Sequence, residues 1–452
     1  MAAGKTNFEC SECGYHTPKW LGCCPDCKQW NTLSEQHASV LDKQAKKQVH
    51  VDYASALQPL KNLPHQESER MITGILEWDR VTGGGIVPGS FTVLTGDPGI
   101  GKSTILLQIC AKLAQKHLVI YFSSEESLHQ VRLRCQRLEI TNENIFFSDK
   151  SELEIILEIS KTKLPAFIVI DSIQNIYSSQ NFNLPGTITQ LKEAAFYLMK
   201  LAKEYNIAII TTGHITKEGT IAGPKVLEHM VDAVLYLQKE DQWDTRILRA
   251  VKNRFGSINE IGFFKMQAHG LQEVQNINEH LLQDQQDAAG SALISILEGT
   301  RPLFLQLQAL VVQAQFGVAQ RVVTGIDHKQ VVLIAAILEK YLHLRLSAQD
   351  IFFKVSGGIK IKDNTADAGI ALTILSSYFQ KSLPAKTIAL AEISLTGLIA
   401  PISNIETHLK EAIKFGFEHI IVAKQQKLPP MQGKKVFALK NVYELLQFFP
   451  EE

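Results

Sequence analysis

Short apolar runs recur through residues 67–275: FTVLTG, LVIYFSS, AFIVIDS, IAIITTG and AVLYLQ. Amphipathic stretches such as ILLQICAKLAQ separate them. Apolar runs of strand length mark strands buried on both faces. Their alternation with helix-like segments predicts a mostly parallel α/β sheet. The polar stretch NINEHLLQDQQDAAG closes this region. Residues 288–452 follow a different order, with strand-like FLQLQALVV, KTIALAEIS and HIIVA and helix-like VVLIAAILEKYL and TADAGIALTILSSYF. That mixture predicts a second domain of α+β type. Residues 34–66 are rich in Gln, Lys and His and poor in large apolar side chains, as a polar linker is. Residues 1–33 fit neither period, and no internal repeat is visible.

At 452 residues the chain is long enough for two or three domains. Its formal net charge is zero, so no global basic field draws in nucleic acid, and any such binding must use local patches. No apolar run approaches the roughly 18–20 residues of a membrane helix. The N-terminus MAAGKTNFEC lacks the apolar core of a signal peptide. A cytoplasmic protein with reduced thiols is therefore expected.

Five of the seven cysteines fall within residues 10–27. Cys10, Cys13, Cys24 and Cys27 give the spacing C-x2-C-x10-C-x2-C, and Cys23 is left over. Two such knuckles complete a tetrahedral four-thiolate zinc site, which can hold together a segment too short for its own core. Phe8, Trp20 and Trp30 are expected to pack against it. The site has no open coordination position, so it is structural or interactive rather than catalytic.

GDPGIGKST, residues 96–104, matches G-x-x-x-x-G-K-[ST] between an apolar run and a helix-like stretch. Gly96, Asp97, Pro98, Gly99, Ile100, Gly101, Lys102, Ser103 and Thr104 are thus candidate ATP contacts. Curled main-chain amides would face the phosphates, Lys102 would reach the β- and γ-phosphates, and the Ser103 hydroxyl would ligate magnesium. Asp171 ends the run AFIVID and is the candidate second magnesium carboxylate. YFSSEES supplies Glu125 and Glu126 as candidates to polarise the attacking water. Neighbouring residues cannot both point the same way from a strand; Glu125 is taken as the general base and Glu126 held in reserve.

The four-cysteine module, GDPGIGKST, SSEES, GHITKEGTIAGPKVLEHMVD, KNRFGSINEIG and EGTRP together resemble one family. It is the RadA (Sms) family of bacterial DNA repair proteins, relatives of the RecA recombinase, and the likeness runs nearly end to end. The resemblance implies a RecA-like P-loop ATPase core and a C-terminal domain similar to the Lon protease domain. It further implies DNA-dependent hydrolysis of ATP in a homo-oligomeric, hexameric ring. Single-stranded and branched DNA would be its partners, with the RecA recombinase a further candidate. Its activity would be branch migration or helicase-like processing of recombination intermediates. Lys252 and Arg254 of KNRFG would reach the ATP of the neighbouring subunit, where a cation stabilises charge on the γ-phosphate. His214 would sense the γ-phosphate, and Lys217 and Lys225 would touch the DNA backbone.

In the last domain, Asp367 and Glu406 fall where a Lon-type protease would carry its serine and lysine. Two acids cannot form a nucleophile activated by an amine, so no peptidase activity is expected. Lys354, Lys360 and Lys362 make a locally basic stretch. The competing readings are a RecA-fold signalling ATPase not coupled to DNA, a Lon-like protease, and a non-enzymatic scaffold.

Overall fold

The computed structural model describes residues 7–12, 15–36, 69–181, 183–214, 227–239, 245–283, 288–314, 319–356, 360–361, 363–431 and 433–450. Near the N-terminus, β1 (Asn7–Cys10), β2 (His16–Thr17) and β3 (Leu33–Gln36) form an antiparallel sheet in the order β2-β1-β3. Strand β3 runs across the 33/34 boundary drawn from composition. The core here is small: Cys10, Cys24 and Leu33 are buried, with Phe8 and Cys27 packed on them. Trp20 and Trp30 correct the expectation of packing on the cysteines. They are 56% and 73% exposed. A Cβ on Gly22 would lie 3.6 Å from the Trp30 ring and 3.8 Å from that of Trp20, so both indoles cover the chain from outside.

The following elements are α1 (Leu76–Thr82), β4 (Phe91–Gly96), α2 (Lys102–Leu113), β5 (Val119–Ser123), α3 (Leu128–Arg137), β6 (Ile145–Ser148), α4 (Leu153–Lys163), β7 (Phe167–Asp171), α5 (Ile188–Tyr205), β8 (Ala208–His214) and β9 (Ala233–Lys239). The strands pair in parallel in the order β9-β4-β8-β7-β5-β6. Every residue of β4, β5 and β7 is buried, which is why these strands read as unbroken apolar runs. Ser127 and Gln130 form a reciprocal cap at the start of α3, each side chain bonding the other's backbone N–H. Strand β10 (Thr245–Asn253) leads into KNRFG. The next strands are β11 (Ile261–Gln267) and β12 (Gly270–Glu273).

Contacts divide the chain into two compact units, the second holding Lys239–Ile247, Asn259–Met266 and Gln272–Glu452. After α6 (Ile277–Leu281), this unit contains β13 (Ser291–Glu298), β14 (Arg301–Gln313), β15 (Arg321–Thr324), α7 (His328–Leu342), β16 (Gln349–Val355), α8 (Asp367–Phe379) and β17 (Thr387–Leu390). The hairpin β18 (Glu392–Ile393) and β19 (Ile399–Ala400), then α9 (Ile405–Phe415), β20 (His419–Ala423) and β21 (Lys435–Leu439), complete it. Its mixed sheet has the order β15-β16-β14-β13-β17-β20-β21. Helix α8 is buried continuously from Asp367 to Ser376. Gly369 allows its close approach to β13: a Cβ there would come within 2.1 Å of the Ile294 side chain. No helix of the described residues is long and apolar enough to cross a membrane.

Candidate active site

The loop between β4 and α2 turns on glycines with positive φ: Gly96 (153°), Gly99 (74°) and Gly101 (116°). At Gly96 a Cβ would meet the Leu237 carbonyl oxygen at 2.2 Å, so the loop leaves no room for a side chain. Asp97, Pro98 and Gly99 are exposed, Ile100 is buried beneath them, and Ser103 and Thr104 lie in the first turn of α2. Lys102 is buried and donates to the Gly96 carbonyl at 2.8 Å and the Asp97 carbonyl at 3.0 Å. Burial pulls its ammonium below the ordinary value, against the opposing pull of Asp171, Glu125 and Asp97. A curled run of amides, a helix N-terminus and one ammonium form a cradle for an anion such as a triphosphate.

Across the parallel sheet, Asp171 ends β7. Its carboxylate accepts the Tyr121 hydroxyl at 2.6 Å and the Thr212 hydroxyl at 2.6 Å. Burial and the Asp171 carboxylate push the Tyr121 phenol well above its ordinary value, so it stays a donor. Apolar strands identify the position of Asp171, but Tyr121 and Thr212 carry no signal beyond being polar within them. The Ser124 hydroxyl donates to the Ser172 carbonyl at 2.8 Å and accepts from the Ser172 N–H at 2.8 Å. These bonds bring the SSEES bend against the end of β7.

The two glutamates then diverge. Glu125 accepts the Ser172 hydroxyl and lies close enough to Lys102 to influence it electrostatically. Glu126 turns toward α3 and pairs with Arg134 at 2.5 Å. The geometry thus groups Lys102, Asp171 and Glu125, and leaves Glu126 bound elsewhere. An oxygen-donor set of a buried aspartate and a helix-start hydroxyl, beside a phosphate cradle, fits the preference of magnesium.

KNRFG divides into anchors and projecting cations. The Asn253 amide donates to the Val81 carbonyl at 3.3 Å and its oxygen accepts the Phe255 N–H at 2.9 Å. The Phe255 carbonyl accepts from Arg70 at 2.6 Å. Gly256 packs on Gly83, where a Cβ would be 3.0 Å from the Gly83 Cα. Lys252 donates to the Glu228 carbonyl at 2.5 Å. Burial and then Arg254 lower its ammonium from the ordinary value. Arg254 donates to the buried Asp232 carboxylate at 3.2 Å, and its side chain remains 59% exposed.

His214 closes β8 opposite Gly96, and its side chain lies outside the described residues. Cys13, Lys217, Lys225 and Lys362 also lie outside them. The sulfurs of Cys10, Cys24 and Cys27 lie within 4.8 Å of one another, and those of Cys10 and Cys27 are 3.6 Å apart. Two thiolates on a tetrahedral zinc at ~2.3 Å would be about 3.8 Å apart, so the cluster fits that ion. Cys23 instead turns to the Cys24 carbonyl.

In the second unit Asp367 is buried. It accepts from the Gln330 amide at 2.7 Å and the Ile393 N–H at 3.2 Å, while burial raises its carboxyl above the ordinary range. Glu406 is exposed on the first turn of α9. Lys354 and Lys360 are exposed.

Residues 76–220 match the AAA domain family, residues 8–35 the rubredoxin metal binding domain, and residues 327–426 subunit ChlI of Mg-chelatase. The DNA repair protein RadA of Bacillus subtilis is 41% identical over 453 residues, covering 99% of both chains. That of Halalkalibacterium halodurans is 42% identical over 425 residues, covering 93% of both. The chain belongs to the RadA family of DNA repair proteins. This chain has a P-loop ATPase core, an N-terminal zinc-ribbon-type module and a C-terminal α+β domain. The chain is an ATP hydrolase of DNA repair, and its AAA domain implies ATP and magnesium. Among solved structures, a KaiC-like protein from Pyrococcus horikoshii OT3 aligns with 46% of this chain and 99% of its own, at 21% identity and a TM-score of 0.40.

Proposed function

We propose that this chain is a DNA-dependent ATPase that works as a cytoplasmic, hexameric ring on single-stranded and branched DNA in recombination intermediates. One observation carries the ring reading. The Asp232 carboxylate that holds Arg254 also accepts the N–H of Phe91, the first residue of β4, at 3.1 Å. The phosphate loop begins at Gly96, the last residue of β4. At ~3.3 Å per residue the two ends are about 16 Å apart. Arg254 is thus far from its own phosphate loop and half-exposed, which supports its acting on a neighbouring subunit's γ-phosphate, with Lys252 beside it.

Within each subunit, Lys102 binds the β- and γ-phosphates. Residues 96–104 supply amides and Ser103, and Ser103 with Asp171 holds magnesium, which neutralises phosphate charge when bound. Glu125 takes the proton of the attacking water, with Ser172 fixing its carboxylate, and His214 senses the γ-phosphate. Lys217 and Lys225 contact the DNA backbone, making binding salt-sensitive. Cys10, Cys13, Cys24 and Cys27 hold zinc. Residues 1–33 then serve as the zinc module, 67–275 as the motor and 288–452 as a ring-building, non-peptidase domain. The RecA recombinase is a candidate partner.

The test is ATP hydrolysis by the full chain with and without single-stranded DNA, with casein as a protease control. Strong stimulation by DNA with casein intact is expected. Turnover indifferent to DNA overturns the reading in favour of a signalling ATPase, and casein cleavage in favour of a protease. Lys102→Ala should abolish turnover in every arm.

A further inference from the structure

Asp232 ends the stretch GHITKEGTIAGPKVLEHMVD, where no role has been given to it, yet three donors converge on its carboxylate. It is buried. One oxygen accepts the Phe91 N–H at 3.1 Å and the Lys203 ammonium at 2.8 Å; the other accepts the Arg254 guanidinium at 3.2 Å. Its main-chain carbonyl accepts the Arg254 N–H at 3.1 Å. Arg254 is therefore held at both backbone and side chain by one residue. Lys203 lies 5.9 Å from the centre of the Phe255 ring, so the residue after Arg254 is braced by the same assembly.

We propose that Asp232 is the positioning residue for Arg254 as it acts on the ATP of the adjoining subunit. This rests on the ring reading given above. A buried carboxylate fixed by a strand N–H is a rigid post, whereas arginine on a bend has several free torsions. Binding one edge of the guanidinium restricts those torsions and leaves the other edge exposed for a phosphate oxygen. Asp232 meets no nucleotide itself. It lowers the cost of presenting the cation, an effect realised only at a subunit interface.

The test compares full-length Asp232→Asn, Arg254→Ala and the double variant in DNA-stimulated ATP hydrolysis, together with mixed oligomers. Asparagine that keeps its oxygen on Phe91 and Lys203 turns its NH2, a donor, toward Arg254 in place of an anionic acceptor. Asp232→Asn should lower kcat roughly 10- to 100-fold with KM for ATP within about twofold. The double variant should turn over no more slowly than Arg254→Ala alone. Mixing Asp232→Asn with Lys102→Ala subunits should recover activity above either alone, because a Lys102→Ala subunit still presents Arg254 to an intact phosphate loop. A merely structural role for Asp232 gives no such recovery. Wild-type turnover of Asp232→Asn, or a double variant far slower than Arg254→Ala, overturns the positioning role and leaves the ring reading standing. Wild-type turnover of Arg254→Ala overturns the ring reading itself. Should Asp232→Asn fail to fold, Asp232→Glu, which shifts the carboxylate by one methylene, is held to the same outcomes.

Discussion

The Tyr121 hydroxyl donates to the Asp171 carboxylate at 2.6 Å inside the parallel sheet. With Thr212 on the other oxygen, it fixes the direction in which Asp171 faces the phosphate loop. Removing only the hydroxyl, by Tyr121→Phe, leaves the packing intact. Turnover should fall about tenfold, as for other partners that orient a metal-site carboxylate. Thermal melting should move little. A steady-state kcat equal to the parent's would show that Asp171 needs no such guide.

Glu125 and Glu126 should separate cleanly. Glu125→Gln should cut single-turnover hydrolysis by 10²-fold or more, on the order expected for a lost general base, while leaving nucleotide binding near normal. Glu126→Gln breaks a partly buried pair with Arg134 that lies away from the phosphate cradle and should cost about twofold at most. The reverse ranking would assign the proton transfer to Glu126.

His408 makes the second unit acid-sensitive. It is 1% exposed, shares a 2.8 Å hydrogen bond with Ser295, and burial brings its pKa down to about 4. In the unfolded chain it titrates near 6.5. Between these values the unfolded state binds a proton that the folded state refuses, so stability is lost as pH falls from 6.5 toward 4. The gap corresponds to roughly 3 kcal/mol. His408→Gln should flatten that slope in chemical denaturation followed at pH 7, 6, 5 and 4. An unchanged slope would locate the acid sensitivity elsewhere.

Glycine in a helix normally costs about 1 kcal/mol against alanine. At Gly369 the sign should invert, because the added methyl would sit 2.1 Å from the buried Ile294 side chain. Gly369→Ala should destabilise by about 1–3 kcal/mol, as overpacking does. Adding Ile294→Ala should make the glycine substitution neutral or favourable. Strict additivity of the two changes in denaturant midpoints would refute the clash.

Metal content distinguishes the five clustered cysteines. Serine at Cys10, Cys24 or Cys27 should release bound zinc on purification, while Cys23→Ser should retain about one ion per chain, measured by atomic emission. Loss of zinc from Cys23→Ser would redraw the ligand set.

The parallel strands were legible because burial on both faces keeps charged residues out of their interiors, as in FTVLTG and FIVID. The strands TRILRAVKN and QDIFFKV were not, since charged residues interrupt each and each falls among longer helix-like or polar stretches. Glycines with forced φ and a lysine at fixed spacing carried the phosphate cradle. Strand geometry allowed only one of Glu125 and Glu126 to face the site and did not say which. The side chains that support them, Tyr121, Ser124, Ser172 and Thr212, have no spacing that could reveal them.

Sequence alone determined the phosphate loop, the cysteine spacing and the apolar rhythm, because each is a local demand on neighbouring residues. Tertiary structure decided which carboxylate faces Lys102, that Trp20 and Trp30 stay outside the cysteine cluster, and that Asp232 grips Arg254. Those outcomes depend on residues distant in the chain meeting at a few ångströms. Only the completed packing of strand against strand sets such distances.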